Sequence, residues 1–187
     1  MMKQDIEELN EELDSLMDQL SPWEDNDFEL LSFNRVNETK SKSVNPVVNG
    51  ILTNIYQEKL VAFAYKDYYK KKKKAILIAR TSAHDFYYKI TKKAVEAYRD
   101  NVHLGTLSAD GSFYQSNALV AHIDKSTSMS LLPIKINGKK VASLVNPIDH
   151  TYPNTRAVQI FEDVSDEEKE LILSISLFEL IHRTNNI

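Results

Sequence analysis

Asp166 to Arg183, DEEKELILSISLFELIHR, is the stretch whose reading decides the fold. Asp166, Glu167 and Glu168 crowd its first turn, and His182 and Arg183 its last, a charge order that suits the helix macrodipole. Between them Leu171, Ile172, Leu173, Ile175, Leu177, Phe178, Leu180 and Ile181 point in every direction around a helical wheel. A surface helix carries one apolar stripe, whereas a helix that is apolar all round must be buried all round. The apolar run from Leu171 to Ile181 includes two serines and a glutamate and falls well short of the ~20 residues of a membrane span, so it reads as core. Ser165 followed by Glu168 has the spacing of a capping box, which we prefer to a cation site for this acidic turn.

The chain ahead of this helix reads as a succession of short, often alternating strands. Candidates are Phe28 to Asn34, Ile51 to Tyr56, Lys59 to Lys66, Ala75 to Arg80, Phe86 to Thr91 and Val95 to Arg99, then His103 to Leu107, Ser112 to Gln115, Ala118 to Asp124, Ser130 to Ile136, Lys140 to Val145 and Arg156 to Glu162. Asn137-Gly138 between Pro133–Ile136 and Lys139–Ala142 is a two-residue hairpin signal, and Asp110-Gly111 marks another turn. Arg35 to Pro46 is polar without periodicity and reads as a loop or linker, and Asn146 to Thr155 as a longer loop. Many short antiparallel strands close into a barrel or stack as a sandwich. Neither normally needs an all-apolar helix, and a barrel threaded by the helix satisfies both observations. The predicted fold class is mostly β (α+β by count): a closed antiparallel β-barrel of about twelve strands around a buried C-terminal hydrophobic helix.

In this arrangement the chain resembles the tubby C-terminal-like superfamily, which includes tubby-like proteins, phospholipid scramblases and the plant LURP-one-related proteins. The carriers are His103–Leu107 running to Asp110–Tyr114, the hairpin from Leu132-Pro133-Ile134 to Lys140-Val141-Ala142, and the helix Glu170 to Ile181. The resemblance spans Phe28 to Arg183 and implies a closed barrel of about twelve strands around the C-terminal helix. It also implies membrane-related function, as a family analogy. A tubby signature segment is lacking, so phosphoinositide-binding positions are not carried over residue by residue. The cysteine-rich palmitoylated segment of scramblases is lacking too.

The other end of the chain carries a different helix. From Asp5 to Leu20, Ile6, Leu9, Leu13, Leu16, Met17 and Leu20 make one apolar stripe opposite an acidic face, and Ser21-Pro22 ends it. The predicted organisation is therefore an acidic amphipathic helix and linker over residues 1–27, followed by the barrel over 28–187 with its central helix at 166–183. The stripe is expected to dock on the barrel or to dimerise; the sharper alternative is a helix that binds a partner. The first residues lack the apolar run of a signal peptide. There is no cysteine, which removes disulfides, zinc thiolates and a cysteine nucleophile, and fits a cytoplasmic location. The sequon Asn37-Glu38-Thr39 is read as a chance match.

A net charge of −4 hides a strong asymmetry. Residues 1–31 hold one lysine and eleven acidic residues, a charge of −10, while residues 32–93 hold fourteen basic and four acidic residues, a charge of +10. The sharpest local feature is Tyr68-Tyr69-Lys70-Lys71-Lys72-Lys73-Lys74, between two strands. Five successive ammonium groups repel one another and stay in water. Each is worth about 1 kcal/mol near an anionic membrane, and tyrosines beside them suit the headgroup level. Arg80, Lys89, Lys92 and Lys93 are candidates to extend the patch. The plainer readings are a solvated loop or a seat for the acidic head.

Other chemistries are poorly supplied. His84, His103, His122, His150 and His182 are scattered, without the spacing of a metal motif. His84 with Asp85, and His150 with Asp149, make a site only if the fold joins them. With four glycines there is no phosphate loop, and no GxSxG elbow is present. Tyr65, Tyr68, Tyr69, Phe86, Tyr87 and Tyr88 could stack on bases, but Phe86 and Tyr88 share a strand face as a β core requires, and the acidic whole disfavours nucleic acid. The leading expectation is a soluble, non-enzymatic domain without cofactors or metal. It is cytoplasmic and peripheral at the membrane, and associates with anionic phospholipid of phosphoinositide-like headgroup through Tyr68, Tyr69, Lys70, Lys71, Lys72, Lys73, Lys74 and Arg80. A protein-interaction or adaptor module using the N-terminal helix is the alternative, and an enzyme of unknown type the second.

Overall fold

The computed structural model describes residues 2–68, 74–125, 130–146, 155–161 and 164–185. Three helices, α1 (Met2–Met17), α2 (Asp27–Leu30) and α3 (Asp166–Asn185), accompany twelve strands. The strands are β1 (Leu31–Lys40), β2 (Val47–Asn54), β3 (Lys59–Tyr68), β4 (Lys74–Arg80), β5 (Asp85–Ile90) and β6 (Ala94–Arg99), then β7 (Val102–Ser108), β8 (Ser112–Gln115), β9 (Ala118–Ile123), β10 (Leu131–Ile136), β11 (Lys139–Val145) and β12 (Val158–Ile160). All pair antiparallel with their sequence neighbours in one sheet. The sheet curls until β12 meets β1, where Ser32 bridges Arg156 and the Ala157 N–H donates to the Leu31 carbonyl at 2.7 Å. The result is a nearly closed barrel whose seam is this short contact.

Inside runs α3. Its ten consecutive residues Ile172 to Ile181 are all buried, so no side of it faces water. The wall meets it with the inward residues of alternating strands, among them Val61, Phe63 and Tyr65 of β3, Leu77 of β4, and Phe86 and Tyr88 of β5. Tyr88 donates its hydroxyl to the Ser174 carbonyl at 2.7 Å, and its ring lies 5.5 Å from that of Phe178. The space between α3 and the wall at Tyr88, Leu107 and Phe113 is too small for a water molecule. The interior is a packed core. Each fully buried leucine, isoleucine or phenylalanine of α3 contributes about 2 kcal/mol of hydrophobic free energy. The helix starts in the capping box read from the sequence: the Ser165 N–H donates to Glu168 Oε2 at 2.9 Å, and the Glu168 N–H to Ser165 Oγ at 3.2 Å. Arg35 of β1 closes the other end, donating to the carbonyls of Leu180 and Ile181 at 3.0 and 3.2 Å.

A second, smaller core lies outside the barrel. Leu9, Leu13 and Leu16 of α1 are buried on the outer faces of β2, β3 and β4, against Val47, Ile51, Ala62, Ala64, Ile76 and Ile78. This explains why β3 and β4 are buried on both faces.

The structure corrects some boundaries. Phe28 to Leu30, read as strand, form most of the one-turn helix α2, with Phe28 in the barrel core. Arg35 to Pro46, read as a loop, instead continues β1 as far as Lys40. Its last residues, Asn37 to Lys40, are polar and exposed, and backbone pairing of Thr39 with Asn49 and Lys40 with Val48 holds them without any apolar pattern. β2 accordingly starts at Val47 rather than Ile51, and stops at Asn54, where the side chain carbonyl accepts the N–H groups of Tyr56 and Glu58 and turns the chain. The Asn137-Gly138 turn has φ of 49° and 80°, the mirror-image turn that its sequence predicts.

Leu177 is fully buried in α3. Leu177→Asp is expected to abolish folding, since an unpaired buried carboxylate costs several kcal/mol. A soluble variant with an unchanged melting temperature would contradict the enclosed helix.

Candidate functional site

In an up-and-down barrel, successive connections alternate between two ends. One end carries the connections β1–β2, β3–β4, β5–β6 and β7–β8. Here Lys40, Lys42, Lys74, Lys92 and Lys93 are exposed. The other end carries the connections around residues 81–84 and 100–101 and the start of α3, with Asp85, Asp100, Asp166, Glu167 and Glu170 among its charges, beside Lys139, Lys140 and Lys169. The barrel is therefore polar along its axis.

The sequence candidates fall on both ends and on the outer wall. Tyr68 and Lys74 are paired across the ends of β3 and β4, at the lysine-rich end. Lys74 is exposed, whereas Tyr68 is 9% exposed under α1, not held out toward solvent. Tyr69, Lys70, Lys71, Lys72 and Lys73 lie outside the described residues. Arg80 is at the far end of β4, about 20 Å from Lys74 at 3.3 Å per residue. Its guanidinium is taken up by Asp14 at 2.8 Å, Asn10 at 2.9 Å and Asp85 at 3.1 Å. Lys89 pairs with Glu96 at 3.1 Å. Lys40 and Lys42 were missed as candidates because they sat in the presumed linker, but their place beside the next hairpin follows from the strand count.

α1 is seated by charge as well as by leucine. Lys66 of β3 bonds Asp5 at 2.9 Å and also Glu8, and Asn49 of β2 donates to Glu12 at 2.7 Å. Burial alone would depress the Lys66 ammonium; Glu8 and Asp5 outweigh it and hold the ammonium above its ordinary value. Burial and the neighbouring Asp5 carboxylate push the Tyr68 phenol up, away from ionisation.

The opposite end holds a cavity of about 320 Å³ lined by Trp23, Phe28, His84, Arg99, Lys169 and Glu170, among others. The fold brings His84 to Asp100 rather than to Asp85, with Nδ1 2.9 Å from the carboxylate, and Arg99 reaches Glu170 at 2.5 Å. Among the described residues we find no nucleophile bonded to His84. A serine, a histidine and an aspartate do meet elsewhere: Ser112 Oγ lies 3.2 Å from Asp110 and 3.3 Å from His122. The serine is in the middle, however, so the histidine is not oriented by the acid as nucleophile activation requires. His150 lies outside the described residues. No group of three or more His, Asp or Glu suited to a metal occurs among the described residues, and no described helix is long and apolar enough to cross a membrane.

A buried charge cluster at the lysine-rich end was not foreseen. Glu179 of α3 is 1% exposed and is bridged by Lys125 at 2.5 Å and Arg183 at 2.5 Å. A lone glutamate in an apolar run, four residues before an arginine, was the available signal. Next to it His182 stacks on Phe178 at 4.9 Å, with Tyr65 at 5.8 Å. Burial, aided by the charges of Lys125 and Arg183 and opposed by Glu179, pushes the His182 pKa down to about 4. Comparison with known proteins finds no match to this chain: no family model, no curated protein and no solved structure.

His182 gives a signed pH dependence. Above its unfolded pKa near 6.5 both states are neutral there and it contributes nothing. As pH falls from 6.5 to about 4 the unfolded chain takes the proton first, so stability should drop by about 3 kcal/mol through this window and then level off. Melting temperature followed against pH checks this, and His182→Phe should flatten that limb.

Proposed function

We propose that this protein associates peripherally with anionic membrane lipid, through the lysine-rich end of its barrel. The observation that carries this reading is the exposure of Lys40, Lys42, Lys74, Lys92 and Lys93 around three adjacent connections, to which the sequence adds Lys70 to Lys73. Like charges gathered at one end repel one another and do not serve the fold. They create a field that a surface of opposite sign relieves, at about 1 kcal/mol per lysine close to the membrane. Headgroups with several phosphates, as in phosphoinositides, match this charge density best. The reading needs no cavity, which accords with a packed barrel interior. A tubby-like ancestry is part of the same proposal, supported by the architecture of a barrel around a helix. The adaptor alternative loses ground because the leucines of α1 that a partner would grip are already buried on β2–β4.

Sedimentation with phosphatidylcholine vesicles, with and without phosphatidylserine or a phosphoinositide, tests the proposal. Binding should require the anionic lipid and fall steeply with salt, because exposed charges are screened. Replacing Lys70 to Lys74 by serine should weaken binding by at least about tenfold, with the melting temperature nearly unchanged. A wild-type chain that ignores anionic vesicles at low salt would refute the reading.

A further inference from the structure

Beneath α1, Val47, Ile51, Ala62, Ala64, Ile76 and Ile78 form a continuous apolar sheet face. Lys66 and Arg80 stand toward its two ends, each held by carboxylates of α1. The hydroxyl of Tyr87, at the edge of the same junction, is buried without a hydrogen-bond partner. The helix thus covers this face but leaves a polar atom at its edge unsatisfied, which a permanent interface normally avoids.

α1 has little reason to be helical by itself. Six carboxylates share its sixteen residues with one lysine, and Glu7 with Glu11 and Glu8 with Glu12 are like-charged pairs one turn apart. So short and acidic a segment does not hold a helix alone in water. Docking holds it, and part of the docking is ionic. Lys66 lies on the stretch of β3 that leads to Tyr68 and the lysine run, so Asp5 and Glu8 are the helix carboxylates nearest the lysine-rich end. Negative charge brought to that end competes for Lys66 and repels both acids.

We infer that the part of the outer β2–β4 face next to Lys66 is a latent membrane-docking surface and that α1 is its displaceable cover. Anionic lipid engaged by the lysine-rich end loosens α1 from its first turns onward. The end of the uncovered face next to Lys66 then meets the bilayer, with Tyr68 at the headgroup level, while Arg80, at the far end of β4, stays in water. The inference rests on the lipid reading above, and it binds the two events by linkage: whatever weakens α1 docking must strengthen lipid binding.

Hydrogen exchange of the full chain with phosphatidylcholine vesicles, and with the same vesicles containing phosphatidylserine, tests it. Amides of residues 2–17 should lose protection only with phosphatidylserine, while those of β5 to β9 stay protected. Leu13→Ala, which removes an anchor of α1 without touching the inner core, should bind the anionic vesicles several-fold more tightly than wild type. If the wild-type chain sediments with these vesicles while α1 keeps its protection, the cover is fixed and the inference is overturned, though the lipid reading stands. Unchanged affinity of a folded Leu13→Ala overturns it equally. A wild-type chain that does not sediment at low salt overturns both.

Discussion

A helix that is apolar on every side has no stable place in water, and the rest of this molecule follows from giving α3 one. Ten consecutive buried residues need a wall on all sides, and twelve short antiparallel strands supply it. The inward set of each strand is fixed by this demand, because a one-residue slip would turn it outward. The polar details of α3 answer to the same enclosure. Tyr88 and Arg35 reach in from the wall to backbone carbonyls that water cannot reach, and Glu179 is tolerated only between Lys125 and Arg183. At Tyr88, Leu107 and Phe113 the space left beside α3 is too small even for a water molecule.

The outer surfaces of the barrel are divided by charge. The acidic head lies along β2–β4 and neutralises Lys66 and Arg80 there, which leaves the end connections as the exposed basic region. Arg80, although only six residues from Lys74 in sequence, is separated from it by the whole length of β4 and belongs to the seat of α1. The charge asymmetry of the sequence thus resolves into an internal contact and an external one. The internal contact is visible in the ion pairs, and the external one is the proposed meeting with anionic lipid.

The fold was legible because its strongest signals are local. The all-round apolarity of Ile172 to Ile181, the capping box at Ser165 and the Asn137-Gly138 turn each follow from spacing alone. What was not legible depends on partners distant in sequence. The polar end of β1 has no apolar alternation to betray it, and is a strand because β2 pairs with it. Phe28 to Leu30 look like strand residues, but form a turn of helix that brings Phe28 to the core. At the candidate site the exposed lysines were legible as charge. The burial of Tyr68 and the capture of Arg80 were not, because both depend on where α1 lies.

The central claim is one of orientation: the lysine-rich end meets the anionic surface and the opposite end stays in water. Trp23 is the only tryptophan and sits at that opposite end, its backbone N–H donating to Ser82 Oγ, between β4 and β5, at 2.6 Å. Quenching by brominated lipid in anionic vesicles therefore reports orientation directly. Wild-type Trp23 should keep its emission on binding, while a Trp23→Phe chain carrying Tyr69→Trp should be strongly quenched. Quenching of Trp23, or a silent reporter at position 69 on a vesicle-bound chain, would contradict the account.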